Sequence, residues 1–149
     1  MTLQIKAGVA IATILVSSSA VFAAQSMQIL STSGCGCCVA WERHLEENGY
    51  ETELKNLPMA DLWQRKMDFG LKQGLTSCHT ALIGGYVVEG HVPAREISRL
   101  LTEKPDAIGL VVPDMPYGSP GMGPQEDAEP YDVLLLLKDG STEIFASYR

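Results

Sequence analysis

Three of the chain's four cysteines fall within four positions, in the run Ser33-Gly34-Cys35-Gly36-Cys37-Cys38. Cys35 and Cys38 have the C-x-x-C spacing of a redox dithiol, in which one thiolate attacks a disulfide and its neighbour resolves the product. Cys37, directly before the second cysteine of that pair, adds a third thiol. Thiolates are soft ligands that select Cu(I), zinc or iron–sulfur clusters, so the extra sulfur moves the reading from pure disulfide exchange toward metal binding. The fourth cysteine, Cys78, is followed directly by His79, which offers a further sulfur and an imidazole.

The elements around the run must aim these side chains. Met27-Gln28-Ile29-Leu30 reads as a short buried strand leading into the cysteine turn. From Cys38 the apolar positions Cys38, Trp41 and Leu45 recur at i, i+3 and i+7, which predicts a helix with Cys38 facing inward, stopped at Asn48-Gly49. Cys35 and Cys37 then lie at or before the helix start, where unpaired N–H groups and the positive end of the macrodipole favour a thiolate. Tyr50 to Leu54 alternates as a strand, and Met59, Leu62, Trp63 and Met67 mark one face of a second helix ending near Gly70. Thr80 to Ile83 and Tyr86 to Glu89 read as two strands joined at Gly84-Gly85, and Pro93 opens a helix with the stripe Ile97, Leu100, Leu101. The predicted class is α/β, in the order β-α-β-α-β-β-α.

From residue 105 to 130 the chain is rich in Pro and Gly and is expected to be an extended loop; residues 131–147, turning around Asp139-Gly140, are expected to form an added C-terminal β-hairpin. Trp41 and Trp63 are read as core. Residues 1–24 carry Lys6, an apolar run from Ala7 to Val16 and the small residues up to Ala23-Ala24; the run is short of the roughly 20 residues that span a bilayer, so a cleaved signal peptide is expected, with an uncleaved anchor as the rival. Residues 25–149 are then one exported domain, expected in the periplasm. An oxidising compartment permits disulfides. Two purely structural bridges fit poorly, because clustered cysteines close short loops that remove little entropy from the unfolded chain. The formal charge of −7 disfavours phosphate backbones and anionic lipid, so neither nucleic acid nor a membrane is expected as a partner after cleavage.

Among the metals, the donors favour copper, as Cu(I). Zinc would take four ligands from Cys35, Cys38, Cys78 and His79 and leave Cys37 over, whereas bridging thiolates in a multinuclear copper site use every sulfur. His79 has two open roles, as ligand or as hydrogen-bonded packing residue. His91 is expected beside the site and His44 on a helix surface. Met115 and Met122 offer thioethers from the loop, or fill gaps there.

The order, with a cysteine motif at the first strand-to-helix junction, resembles the thioredoxin and glutaredoxin fold over about Met27 to Glu103. That fold normally places a cis-proline against the C-x-x-C motif; here Cys78-His79 stands at that place. A narrower resemblance spans nearly all of residues 25–149. Cys35-Gly36-Cys37-Cys38, Ser77-Cys78-His79-Thr80-Ala81, the run from Gly84 to Pro93, the run from Met115 to Met122 and Tyr131-Asp132-Val133-Leu134-Leu135 are similar to the secreted CopG-like proteins of bacterial copper resistance. The resemblance implies a periplasmic thioredoxin-like protein that binds copper through its clustered cysteines in detoxification or redox handling. Periplasmic copper carriers or thiol-redox proteins would be its partners. A thiol–disulfide oxidoreductase, with Cys35 attacking and Cys38 resolving, is the alternative.

Overall fold

The structure is a computed structural model that describes residues 26–149; the expected signal peptide lies outside the described residues. The elements are β1 (Ser26–Ser31), α1 (Gly36–Glu47), β2 (Glu51–Asn56), α2 (Met59–Asp68), β3 (Thr80–Ile83), β4 (Tyr86–Glu89), α3 (Ala94–Glu103), β5 (Ala107–Val111), β6 (Tyr131–Leu137) and β7 (Thr142–Tyr148). They build one seven-stranded sheet in the order β2-β1-β3-β4-β5-β6-β7. The pairs β1–β2 and β4–β5 run parallel and the rest antiparallel. The expected β-α-β-α-β-β-α order is present. Among the described residues no helix is long and apolar enough to cross a membrane.

Two apolar layers sandwich the sheet. Trp41 and Leu45 of α1 and Ile97 and Leu100 of α3 pack with Met27, Ile29, Ala81 and Val88 on one face. Leu71, Val87, Val111 and Leu136, with the partly buried Met67, fill the other. Adjacent Val87 and Val88 point to opposite faces, as the two-residue period of a strand requires. The indole N–H of Trp41 donates to the Val92 carbonyl at 2.9 Å, so the largest core side chain carries no unpaired donor.

Two expectations are corrected. Trp63 is not core: it is 44% exposed, and Met59 beside it on the same face is more so. The buried stripe of α2 is Leu62 and Lys66. Both pairs have i, i+4 spacing, and the inward one is chosen because Lys66 finds acceptors inside, described below. The loop expected from residue 105 begins later, because Ala107–Val111 is a strand central to the sheet. Gly109 disguised it. A Cβ there would lie 1.7 Å from the Val87 carbonyl oxygen, so the close passage of β4 requires glycine, a residue that weakens a strand pattern. The chain beyond β5 contains one short 3-10 turn, Gln125–Asp127, and then β6 and β7, whose hairpin reaches Tyr148. This hairpin extends the sheet through β5 at its edge.

Candidate metal centre

β1 delivers the chain to a turn at Thr32–Gly34, and Cys35 becomes the N-cap of α1 with no side-chain cap of its own. Cys37 follows in the first helical turn and Cys38 opens the buried stripe shared with Trp41 and Leu45. Cys38 is fully buried, while Cys35 and Cys37 are partly exposed. Cys78 comes from the segment leading into β3, which pairs with β1, so the sheet brings it to the same end. The four Sγ atoms all lie within 4.8 Å of one another. Cys35 and Cys38 are joined as a disulfide, and Cys37 and Cys78 are free thiols. Cys37 Sγ lies 3.5 Å from Cys35 Sγ and 3.7 Å from Cys78 Sγ.

The loop after β5 closes over this end. Met115 Sδ sits 2.8 Å from Cys78 Sγ, although the Met115 side chain remains 46% exposed. Further on, Gly121 packs against the first turn of α1, where a Cβ would lie 2.7 Å from the Trp41 nitrogen and 3.0 Å from the Cys37 carbonyl oxygen. Met122 takes part in the backbone turn there, donating to the Ser119 carbonyl and accepting from the Gly118 N–H.

The three histidines fall elsewhere. His79 is fully buried, its ring 4.3 Å from that of Trp41 and 4.9 Å from that of His91, and neither ring nitrogen has a hydrogen-bond partner. Its nitrogens do not join the four-sulfur group. His91 is buried too; Nδ1 meets the Pro120 carbonyl at 2.8 Å and Nε2 has no partner. Burial lowers the pKa of both, and of His79 well below the usual imidazole range, with the His91 ring adding to the effect. His44 is half-buried rather than merely on the surface: its Nε2 accepts the Ala94 N–H at 3.1 Å, which caps the start of α3.

Sequence reasoning missed an ion pair beneath Cys78. Lys66 of α2 and Glu89 of β4, both buried, meet at 2.5 Å. Glu89 also accepts from the Ser77 N–H and the Thr80 hydroxyl. Desolvation pushes the Lys66 pKa down and the Glu89 pKa up, and their mutual attraction opposes both shifts. Lys66 on the inward stripe with Leu62 was the only signal. The Cys78 thiol is raised to about 11, chiefly by burial and then by its contact with Cys37, against the pull of Lys66.

Soft donors gathered from two segments at a helix start fit a thiophilic metal, once the Cys35–Cys38 disulfide is reduced. The fold and this centre together define an α/β protein with a four-cysteine cluster at its first strand-to-helix junction. The structure is similar to two solved structures described as copper resistance protein CopG, form 1 and form 2. Identities are 36% and 37% and TM-scores 0.79 and 0.78; each match covers 85% of this chain and 98% and 100% of the other. A family model described as a protein of unknown function, DUF411, matches residues 75–122, which include Cys78, His79 and Met115. No curated protein sequence matches. The chain belongs to the CopG family.

Proposed function

We propose that residues 25–149 form a single exported, periplasmic domain that holds Cu(I) through the thiolates of Cys35, Cys37, Cys38 and Cys78, and serves copper resistance or copper redox handling. The observation that carries this reading is the convergence of four sulfur atoms within 4.8 Å. Four thiolates this close can be shared as bridging ligands among several copper ions, which uses every sulfur. When bound, copper supplies a one-electron couple between Cu(I) and Cu(II). The protein's part is to keep soft donors close, to bury Cys38 on the inward face of α1, and to bring the Met115 thioether to Cys78. Closing Cys35 to Cys38 releases two electrons and withdraws two of the thiolates, and two electrons from a reductant restore them as thiolates, so metal loading follows the thiol redox state.

A second reading, thiol–disulfide exchange, is favoured by the Cys35–Cys38 disulfide itself and by a shallow groove beside Cys35 lined by Gly34, Gly36, Val39 and Leu54. Zinc is the weaker rival on ligand softness: of the set expected for it, His79 is packed on Trp41, so a zinc ion would have to be held by the four sulfurs instead.

The test is to reduce the protein without oxygen, load it with Cu(I), remove unbound metal and weigh it by native mass spectrometry. More than one copper ion should be retained, and the excess should vanish in Cys37→Ser and in Cys78→Ser. No retained copper would overturn the copper reading in favour of the oxidoreductase.

A further inference from the structure

The ion pair beneath Cys78 is not used by the copper reading, yet its bonds bracket that cysteine. Glu89 Oε1 accepts from the Ser77 N–H at 2.6 Å, one residue before Cys78, and Oε2 accepts from the Thr80 hydroxyl at 2.5 Å, two residues after it. Lys66 Nζ donates to Glu89 Oε1 at 2.5 Å and to Thr80 Oγ1 at 2.9 Å. Every partner in this group is satisfied from another element: α2 supplies the cation, β4 the carboxylate and the Cys78 segment the donors.

The same segment is fastened from its other side. The Ser77 hydroxyl donates to the Asp114 carbonyl at 2.5 Å, and the Asp114 N–H donates to the Thr76 carbonyl at 3.3 Å, which ties it to the residue preceding Met115. Gly90, directly after Glu89, has φ +74, and a Cβ there would lie 2.3 Å from the Val112 oxygen and 2.8 Å from the Ser77 Cβ. The chain after Glu89 therefore passes too close to Ser77 for any other residue. A buried ion pair is a poor route to stability, since an apolar pair of equal volume is often as stable or more so. Its use here is positional.

We propose that Glu89 is a positioning residue that sets Cys78 against Cys37 and Met115 by holding the Ser77 N–H, with Lys66 as the buried cation that neutralises it. Its consequence for copper rests on the reading above; its geometry does not.

The test separates the acceptor from the charge. In the Cys35–Cys38 disulfide form, Cys37 and Cys78 are the free thiols. Dibromobimane bridges two nearby thiols and fluoresces only when both arms have reacted. Its bridging rate, normalised to the alkylation of Cys78 by monobromobimane in the Cys37→Ser background of each variant, reports the Cys37–Cys78 placement without metal. Two variants lack both charges: Lys66→Met/Glu89→Gln, whose amide oxygen can still accept from Ser77, and Lys66→Met/Glu89→Leu, which has no acceptor. The first should bridge as the parent does, and the second about fivefold more slowly or worse, the scale of one lost buried hydrogen bond. Glu89→Asp, which keeps the charge but shortens the reach, should also be slow and decides the matter if the leucine variant fails to fold. Parent-like bridging in the leucine or aspartate variant, or equal losses in the leucine and glutamine variants, would overturn the proposal. With Cu(I), the leucine variant should lose the same ions as Cys78→Ser. A parent chain that holds no copper would remove the copper reading and leave the bridging result to judge Glu89.

Discussion

Two buried polar groups flank the sulfur cluster and are built on opposite principles. In the Lys66–Glu89–Thr80–Ser77 group each charge and hydroxyl has a partner. In the group formed by His79 and His91 against Trp41, three of the four imidazole nitrogens have none. The first fixes its members by directional bonds and penalises the loss of any one of them, because the remaining charge would stay buried and unpaired. The second is held mainly by ring packing; apart from His91 Nδ1 against the Pro120 carbonyl, its nitrogens carry a desolvation cost with little return. Bonding thus places Cys78 from below, while on the other side ring packing, with the single bonds from Trp41 to Val92 and between His91 and Pro120, supports the inward face of α1 that carries Cys38.

The sharpest way to break this contrast is Glu89→Leu with Lys66 left in place. Stranding the ammonium should destabilise the fold by about 3–5 kcal/mol, read as a fall in the urea midpoint. A loss no larger than that of a surface substitution would mean that the pair is not buried as described. The opposite sign is expected on the histidine side. His79→Phe replaces an unpartnered imidazole with an apolar ring and should stabilise by about 1 kcal/mol, visible as a higher Tm; a clear destabilisation would mean that the nitrogens have partners in solution.

The pH dependence has the sign of a depressed imidazole. The folded pKa of His91 lies below the ordinary 6.5, mainly through burial, so the unfolded chain takes up the proton first. Stability is full above pH 6.5 and declines as pH falls through that value toward the folded pKa. His91→Gln, which can still donate to the Pro120 carbonyl, should lessen this decline between urea titrations at pH 7.5 and 5.5, with the part due to His79 remaining. An unchanged slope would assign the effect to other groups. The smallest effect concerns the loop: Met115→Leu should weaken Cu(I) retention modestly in a chelator competition, and Met122→Leu should not, since only Met115 Sδ contacts a cysteine sulfur.

How far the sequence could be read followed from the range of the interactions. Cys38, Trp41 and Leu45 disclose α1 and its inward face because the pattern is local. Placing Cys78 with the other three rested on the resemblance to the thioredoxin and glutaredoxin fold, in which that position lies against the C-x-x-C motif. The α2 face was misread at Trp63, since apolar spacing cannot reveal that a lysine four residues after Leu62 has a carboxylate waiting on β4. That pairing exists only in three dimensions. β5 was hidden by Gly109, whose small size is a demand of the neighbouring strand rather than of its own conformation. Met115 was named as a donor from its chemistry, but its nearness to Cys78 depends on the Ser77–Asp114 bond across two loops.

The central claim is that clustered thiolates hold copper as Cu(I), with more than one ion sharing bridging sulfurs. Copper K-edge X-ray absorption of the reduced, loaded protein tests it most directly. The account predicts an edge typical of Cu(I), an inner shell dominated by sulfur, and a short copper–copper scattering path that disappears in Cys78→Ser. A shell dominated by nitrogen and oxygen, or a single copper with no copper neighbour, would contradict it.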